Sequence, residues 1–152
     1  MNRLRRTFLK LVGVAAAAAG AGLLKTGYAL AAIWNKAAFE SKAVADALKS
    51  LGAANLSESK DILITAPDIA ENGAVVPIAV TSKIPNTQSI SIIAEKNPFP
   101  LTSTFEVANG AEGYVSTRLK MGETSNVRAV VRADGKFYTA AKEVKVTIGG
   151  CG

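Results

Sequence analysis

The chain has 152 residues, with 18 basic and 12 acidic side chains, a single cysteine and no histidine. The missing histidine removes the commonest general base and the commonest metal ligand. One cysteine cannot form an internal disulfide, and without a neighbouring histidine to take its proton it is a poor hydrolase nucleophile.

The first element is a leader. "MNRLRRTFLK" is basic, Leu11 to Leu24 is apolar, and "ALA" at Ala29–Ala31 fits a small-residue cleavage site. An apolar run of about 14 residues is short for a membrane span, which needs roughly 20. Residues 1–31 are therefore expected to be a cleaved signal peptide, with no membrane attachment once it is removed. "RRTFLK" resembles a twin-arginine export signal through Arg5, Arg6, Phe8, Leu9 and Lys10, with Leu4 where Ser or Thr is usual and Lys25 after the apolar run. That resemblance implies a bacterial, periplasmic destination.

Removing the leader cancels the charge imbalance. The whole chain is +6, but from Ala32 onward 13 basic residues face 12 acidic ones. The remainder lacks the clustered Lys and Arg of a nucleic-acid surface, and no nucleic-acid partner is expected. Its length suits one domain with an ordinary core.

A helix should open this domain. In "IWNKAAFESKAVADALKSLGA" the positions Ala37, Val44, Ala45, Leu48 and Leu51 recur at helical spacing, and Gly52 terminates the pattern. Phe39 and Trp34 are expected to pin the helix to what lies beneath. Seven strand-like runs follow, centred on "DILITAP", "AVVPIAVTSK", "SISIIAEKN", "STFEVANG", "GYVSTRLKM", "NVRAVVRAD" and "FYTAAKEVKVTI". Alternation is visible in Val115/Thr117/Leu119/Met121 and Val144/Val146/Ile148. Asp134-Gly135 predicts a tight hairpin, and Pro77 predicts an edge strand or a bulge. The fold class is mainly β: an immunoglobulin-like antiparallel sandwich with an N-terminal helix, over residues 32–148, and a flexible C-terminal tail.

Little catalytic equipment is visible in this domain. Carboxylates such as Glu40, Asp46, Asp68 and Glu95 stand singly, and "NGAEG" and "IGGCG" lack phosphate-loop spacing. Arg118, Arg128 and Arg132 could gather an anion, but surface charge is the simpler expectation. The domain is expected to hold no metal and no cofactor.

The tail, residues 149–152, is where the chemistry concentrates. The last strand should stop near Ile148. Gly149 and Gly150 impose almost no backbone preference, and four extended residues reach roughly 13–14 Å. Cys151, with Gly152 behind it, has no bulk beside its sulfur. No cation is adjacent in sequence, so an ordinary thiol pKa near 8.5 leaves about a few per cent as thiolate. The thiol is presented more than activated, and partner enzymes must supply the activation. The competing expectation is an exported structural module that dimerises through an intermolecular disulfide at Cys151.

The leader, the helical "AFESKAVADALKSLG" before a β-rich domain, and the closing "GGCG" together resemble the SoxY family, the covalent sulfur carriers of bacterial thiosulfate oxidation. Many members end in GGCGG, one glycine further. The resemblance implies that the chain is not an enzyme but a periplasmic carrier holding thiosulfate-derived groups on Cys151. A c-type haem enzyme would conjugate thiosulfate to it as the cysteine S-thiosulfonate. A di-manganese hydrolase would then release sulfate and leave a persulfide. A sulfane dehydrogenase, where present, would oxidise the outer sulfur. The family also implies a heterodimer with the smaller β-sandwich protein SoxZ.

Overall fold

The computed structural model describes residues 34–108 and 110–147. The chain divides into two units, Met1–Trp34 and Asn35–Gly152, and all of the secondary structure described belongs to the second.

Two short helices stand where one was expected: α1 (Lys36–Phe39) and α2 (Val44–Ser50). The break falls after Glu40, and Ala43 then enters α2 in an extended conformation with no side-chain cap. Asn35 starts α1 by accepting a hydrogen bond from the Ala38 N–H, and its amide donates to the Ser50 carbonyl at 2.8 Å, tying one helix to the other. Gly52 ends α2 as expected, at φ +79°. The Gly52 N–H donates to Lys49 O and the Ala53 N–H to Leu48 O, so the last carbonyls are satisfied in a Schellman closure. The break shifts the buried face from the expected positions. Ala38 and Ala47 are fully buried, whereas Ala37 and Ala45 are exposed. Phe39 packs inward, while Trp34 is mostly exposed. Asn35→Ala should cost about 1 kcal/mol, the usual value of a lost cap, and a thermal melt of the variant measures it.

Among the described residues nine strands follow: β1 (Leu56–Glu58), β2 (Ile62–Thr65), β3 (Ile69–Ala70), β4 (Val76–Ser82), β5 (Thr87–Ala94), β6 (Leu101–Glu106), β7 (Tyr114–Leu119), β8 (Ser125–Ala133) and β9 (Lys136–Val146). One sheet runs β1-β9-β8-β5-β6, with β3 also on β9; the other runs β2-β4-β7. The seven expected strands are present in an immunoglobulin-like sandwich. β1 and β3 are additional, and both pair with β9 in parallel.

The core lies between the sheets. Ile78, Val80, Ile90, Ile92, Val127 and Val131 are essentially inaccessible there, each side chain contributing about 1.5–3 kcal/mol by leaving water. The larger sheet is also covered on its outer face. Ile93, Leu101 and Val130 pack under α1 and α2 with Ala38 and Ala47. That explains the unbroken apolar stretch in β5, which is buried on both faces. A bulge at Ile92/Ile93 pairs Ile92 with Ser103 but Ile93 with Leu101. It thereby turns Leu101 toward the helices while Phe105 packs against the central core.

The Asp134-Gly135 hairpin forms as expected, both residues at positive φ (48° and 71°), joining β8 to β9. Pro77 corrects the sequence expectation, since it sits on the central strand of the smaller sheet. Pairing with β2 reaches only Thr65↔Ala79, so Pro77 lies past the end of that neighbour and is tolerated as on an edge. The outer face of this sheet is laid out in rows: Leu63–Thr81–Tyr114, Thr65–Ala79–Ser116 and Pro77–Arg118.

Candidate functional site

Arg5, Arg6, Gly149, Gly150, Cys151 and Gly152 lie outside the described residues. What can be built from the sequence upward is the root of the C-terminal segment, where β9 hands over to the final glycines and the cysteine.

β9 ends at Val146, two residues before the expected stop, and Thr147 follows as an exposed residue. The strand is pinned on both flanks at this point. On one side, the Lys145 N–H donates to Asp68 O at 3.0 Å and the Thr147 N–H to Ala70 O at 3.1 Å. The Thr147 hydroxyl lies 3.3 Å from the Glu71 carbonyl, to which it donates. On the other side, the Val146 N–H donates to the Thr124 hydroxyl at 3.0 Å. A little earlier, Lys142 donates to the Ala66 carbonyl at 2.7 Å and pairs with Asp68 at 3.0 Å, holding the β2–β3 connection in place.

Gly73 closes the root from behind. Asn72 accepts from the Ala74 N–H at 2.9 Å and turns the chain so that Gly73 meets both β9 and the β7–β8 loop. Its carbonyl accepts from the Met121 N–H at 2.7 Å. A Cβ at Gly73 would lie 2.7 Å from Val146 Cγ1 and would collide with the Met121 carbonyl oxygen. Only glycine permits this approach. These residues were not singled out from the sequence. The Asn72-Gly73 dipeptide is a turn signal, but Thr124 and Thr147 carry none.

The three arginines do not converge. Arg128 binds the Glu95 carboxylate through Nε and Nη2, both at 2.7 Å, and Asn126 holds the other carboxylate oxygen at 3.2 Å. Arg132 pairs with Glu106 at 3.4 Å. Both lie on β8, whereas Arg118 is on β7 in the other sheet and makes no ion pair among the described residues. Glu40 pairs with Lys36, and Asp68 with Lys142. Among the described residues, no three His, Cys, Asp or Glu side chains gather as metal ligands.

Fold and root together define a β-sandwich domain whose last strand is fixed up to Thr147 and then continues into a short sequence bearing the chain's one thiol. Comparison with known proteins gives the class a name. A family model described as sulfur oxidation protein SoxY matches residues 47–151. Among solved structures, the chain is similar to the sulfur carrier protein SoxY from Chlorobium limicola f thiosulfatophilum. The identity is 42%, the TM-score 0.61, and the match covers 68% of this chain and 96% of that one. The human F-spondin reeler domain is also similar, at 11% identity and TM-score 0.45, over 61% of this chain and 94% of that one. No curated protein matches. The chain belongs to the SoxY family of sulfur oxidation proteins.

Proposed function

We propose that the chain is a periplasmic sulfur carrier whose working group is the Cys151 thiol, presented to partner enzymes on the Gly149–Gly152 arm. The observation that carries this is the extent of the family match: it runs through the sandwich and ends on Cys151 itself. The pinned root adds support. Cys151 lies four residues past Thr147, a contour of about 13–14 Å when extended, which suits a thiol working beyond a rigid body.

The chemistry asked of the thiol is redox conjugation followed by hydrolysis. Cys151 and thiosulfate join through a new S–S bond, giving up two electrons and the thiol proton to a c-type haem partner. Water then cleaves the bond between the outer sulfur and the sulfonate sulfur. Sulfate leaves, and a persulfide remains on Cys151. A di-manganese partner carries out this hydrolysis. Where a sulfane dehydrogenase is present, three waters and the loss of six electrons convert the outer sulfur to a sulfonate. A second hydrolysis returns the free thiol. Tethering keeps each intermediate at high effective concentration for the next enzyme. Arg5 and Arg6 belong to the export signal, and SoxZ is the heterodimeric partner.

Intact-mass measurement of the protein from thiosulfate-grown cells tests this. Sulfur adducts confined to the C-terminal peptide are the expected result. A thiol that stays unmodified in every growth phase would overturn the proposal.

A further inference from the structure

The two sheets differ on their outer sides. The larger one is roofed by α1 and α2. The smaller one, β2-β4-β7, has no such cover among the described residues. Its outer strand positions carry a single charged side chain, Arg118. Leu63 and Tyr114 are 46% and 53% exposed at one end of this face, Pro77 sits beside Arg118 at the other, and Val75, 50% exposed, lies just ahead of β4. A solvated sheet face normally alternates toward polar and charged groups. This one has instead the make-up of an interface centre: a tyrosine, an arginine, apolar neighbours and depletion of other charge.

We infer that the outer face of β2-β4-β7 docks a partner protein chain that lays an apolar patch across Leu63, Pro77 and Tyr114 and sets a carboxylate against Arg118. This rests on the heterodimer reading above and locates its interface. Charge decides the occupant. Arg128 and Arg132 already have carboxylates of their own, and Arg118 makes no ion pair among the described residues. A second copy would bring no acid from its own strand positions on this face. A different chain must supply it. Three strands of four, seven and six residues, about 4.8 Å apart and rising about 3.4 Å per residue, give a face of roughly 300 Å². That is the centre of an interface of about 800 Å² per partner, so the contact must extend onto the rim. Val75 continues the exposed apolar surface from β4 toward Gly73, which packs against the end of β9.

The test uses the mature chain and purified SoxZ from the same genome, with dissociation constants from titration calorimetry. Arg118→Glu and Tyr114→Ala should each weaken the complex about 30-fold or more, while Lys49→Glu, on α2, should leave it within 3-fold. All three should melt as the wild type does. If both face variants bind within 3-fold of wild type, the docking face is wrong but the heterodimer stands. If the wild-type chains form no complex at all, the heterodimer falls, and this inference with it. A chain that dimerises with itself, and is made monomeric by Arg118→Glu, would show the occupant to be a second copy and overturn the choice made here.

Discussion

Cys151→Ser is expected to reduce thiosulfate-dependent electron release in a reconstituted system to background while leaving the melting temperature unchanged. Cys151 is the only thiol in the chain, so no second sulfur can take its place. A serine hydroxyl cannot form the S–S bond on which conjugation, persulfide formation and release all depend. Folding should be indifferent to the change. Among the described residues, both apolar clusters and the bonds that pin β9 are built from positions up to Thr147, four residues earlier. The same variant separates the carrier from the module that dimerises through a disulfide. Such a module would lose its covalent dimer and keep whatever activity the complex has. Electron release at the wild-type rate from the serine variant would end the carrier proposal.

Gly73→Ala is expected to lower stability by about 3 kcal/mol, the upper end of the overpacking range, and the melting temperature by roughly 10 °C for a domain of this size. The added methyl meets the Met121 carbonyl and Val146 Cγ1. That carbonyl is backbone and cannot rotate away, because the N–H of the same residue is held by its 2.7 Å hydrogen bond to the Gly73 carbonyl. Relief must come from moving the turn at Asn72 or the end of β9, which disturbs the arm's root directly. Gly122→Ala is the matched control. A Cβ there meets nothing within 4 Å, so its effect should stay within a few tenths of a kcal/mol. Equal unfolding midpoints in urea for the two variants would show that the close approach at Gly73 carries no weight.

Much of the sandwich could be read before the structure because its signals are local. Asp134-Gly135 needs two positive φ angles and has residues that accept them. The alternation from Val115 to Met121 matches the inward face of β7 and the buried residue after it. Gly52 stops α2 where the helical pattern ends. The misses share a different cause. β1 and β3 are three and two residues long, too short for any periodicity, and exist because β9 offers them a flank to pair with. The division of the helix at Glu40–Ala43 fits two short helices over the outer face of the large sheet, which local helix propensity does not encode. Pro77 was a sound signal with the wrong consequence, since an edge-like position on a central strand depends on how far β2 reaches.

For the site, position in the sequence was informative and support was not. The glycine-flanked cysteine stands out because nothing else in the chain offers comparable chemistry. The residues that hold its root, Ala70, Gly73, Thr124 and Thr147, come from three separate stretches. Only their meeting around the end of β9 gives them a role.

That meeting also sets how the domain bears a load. β9 is an interior strand, matched to β8 from Ser125↔Val144 to Ala133↔Lys136 and gripped on its other flank by β1 and β3. Any pull on the C-terminal residues puts tension along the strand axis and across bonds perpendicular to it. Many bonds then share the tug in shear, and none is peeled alone. A tether spliced onto a frayed outermost strand would unzip under the same force. This one is wired into the middle of the weave.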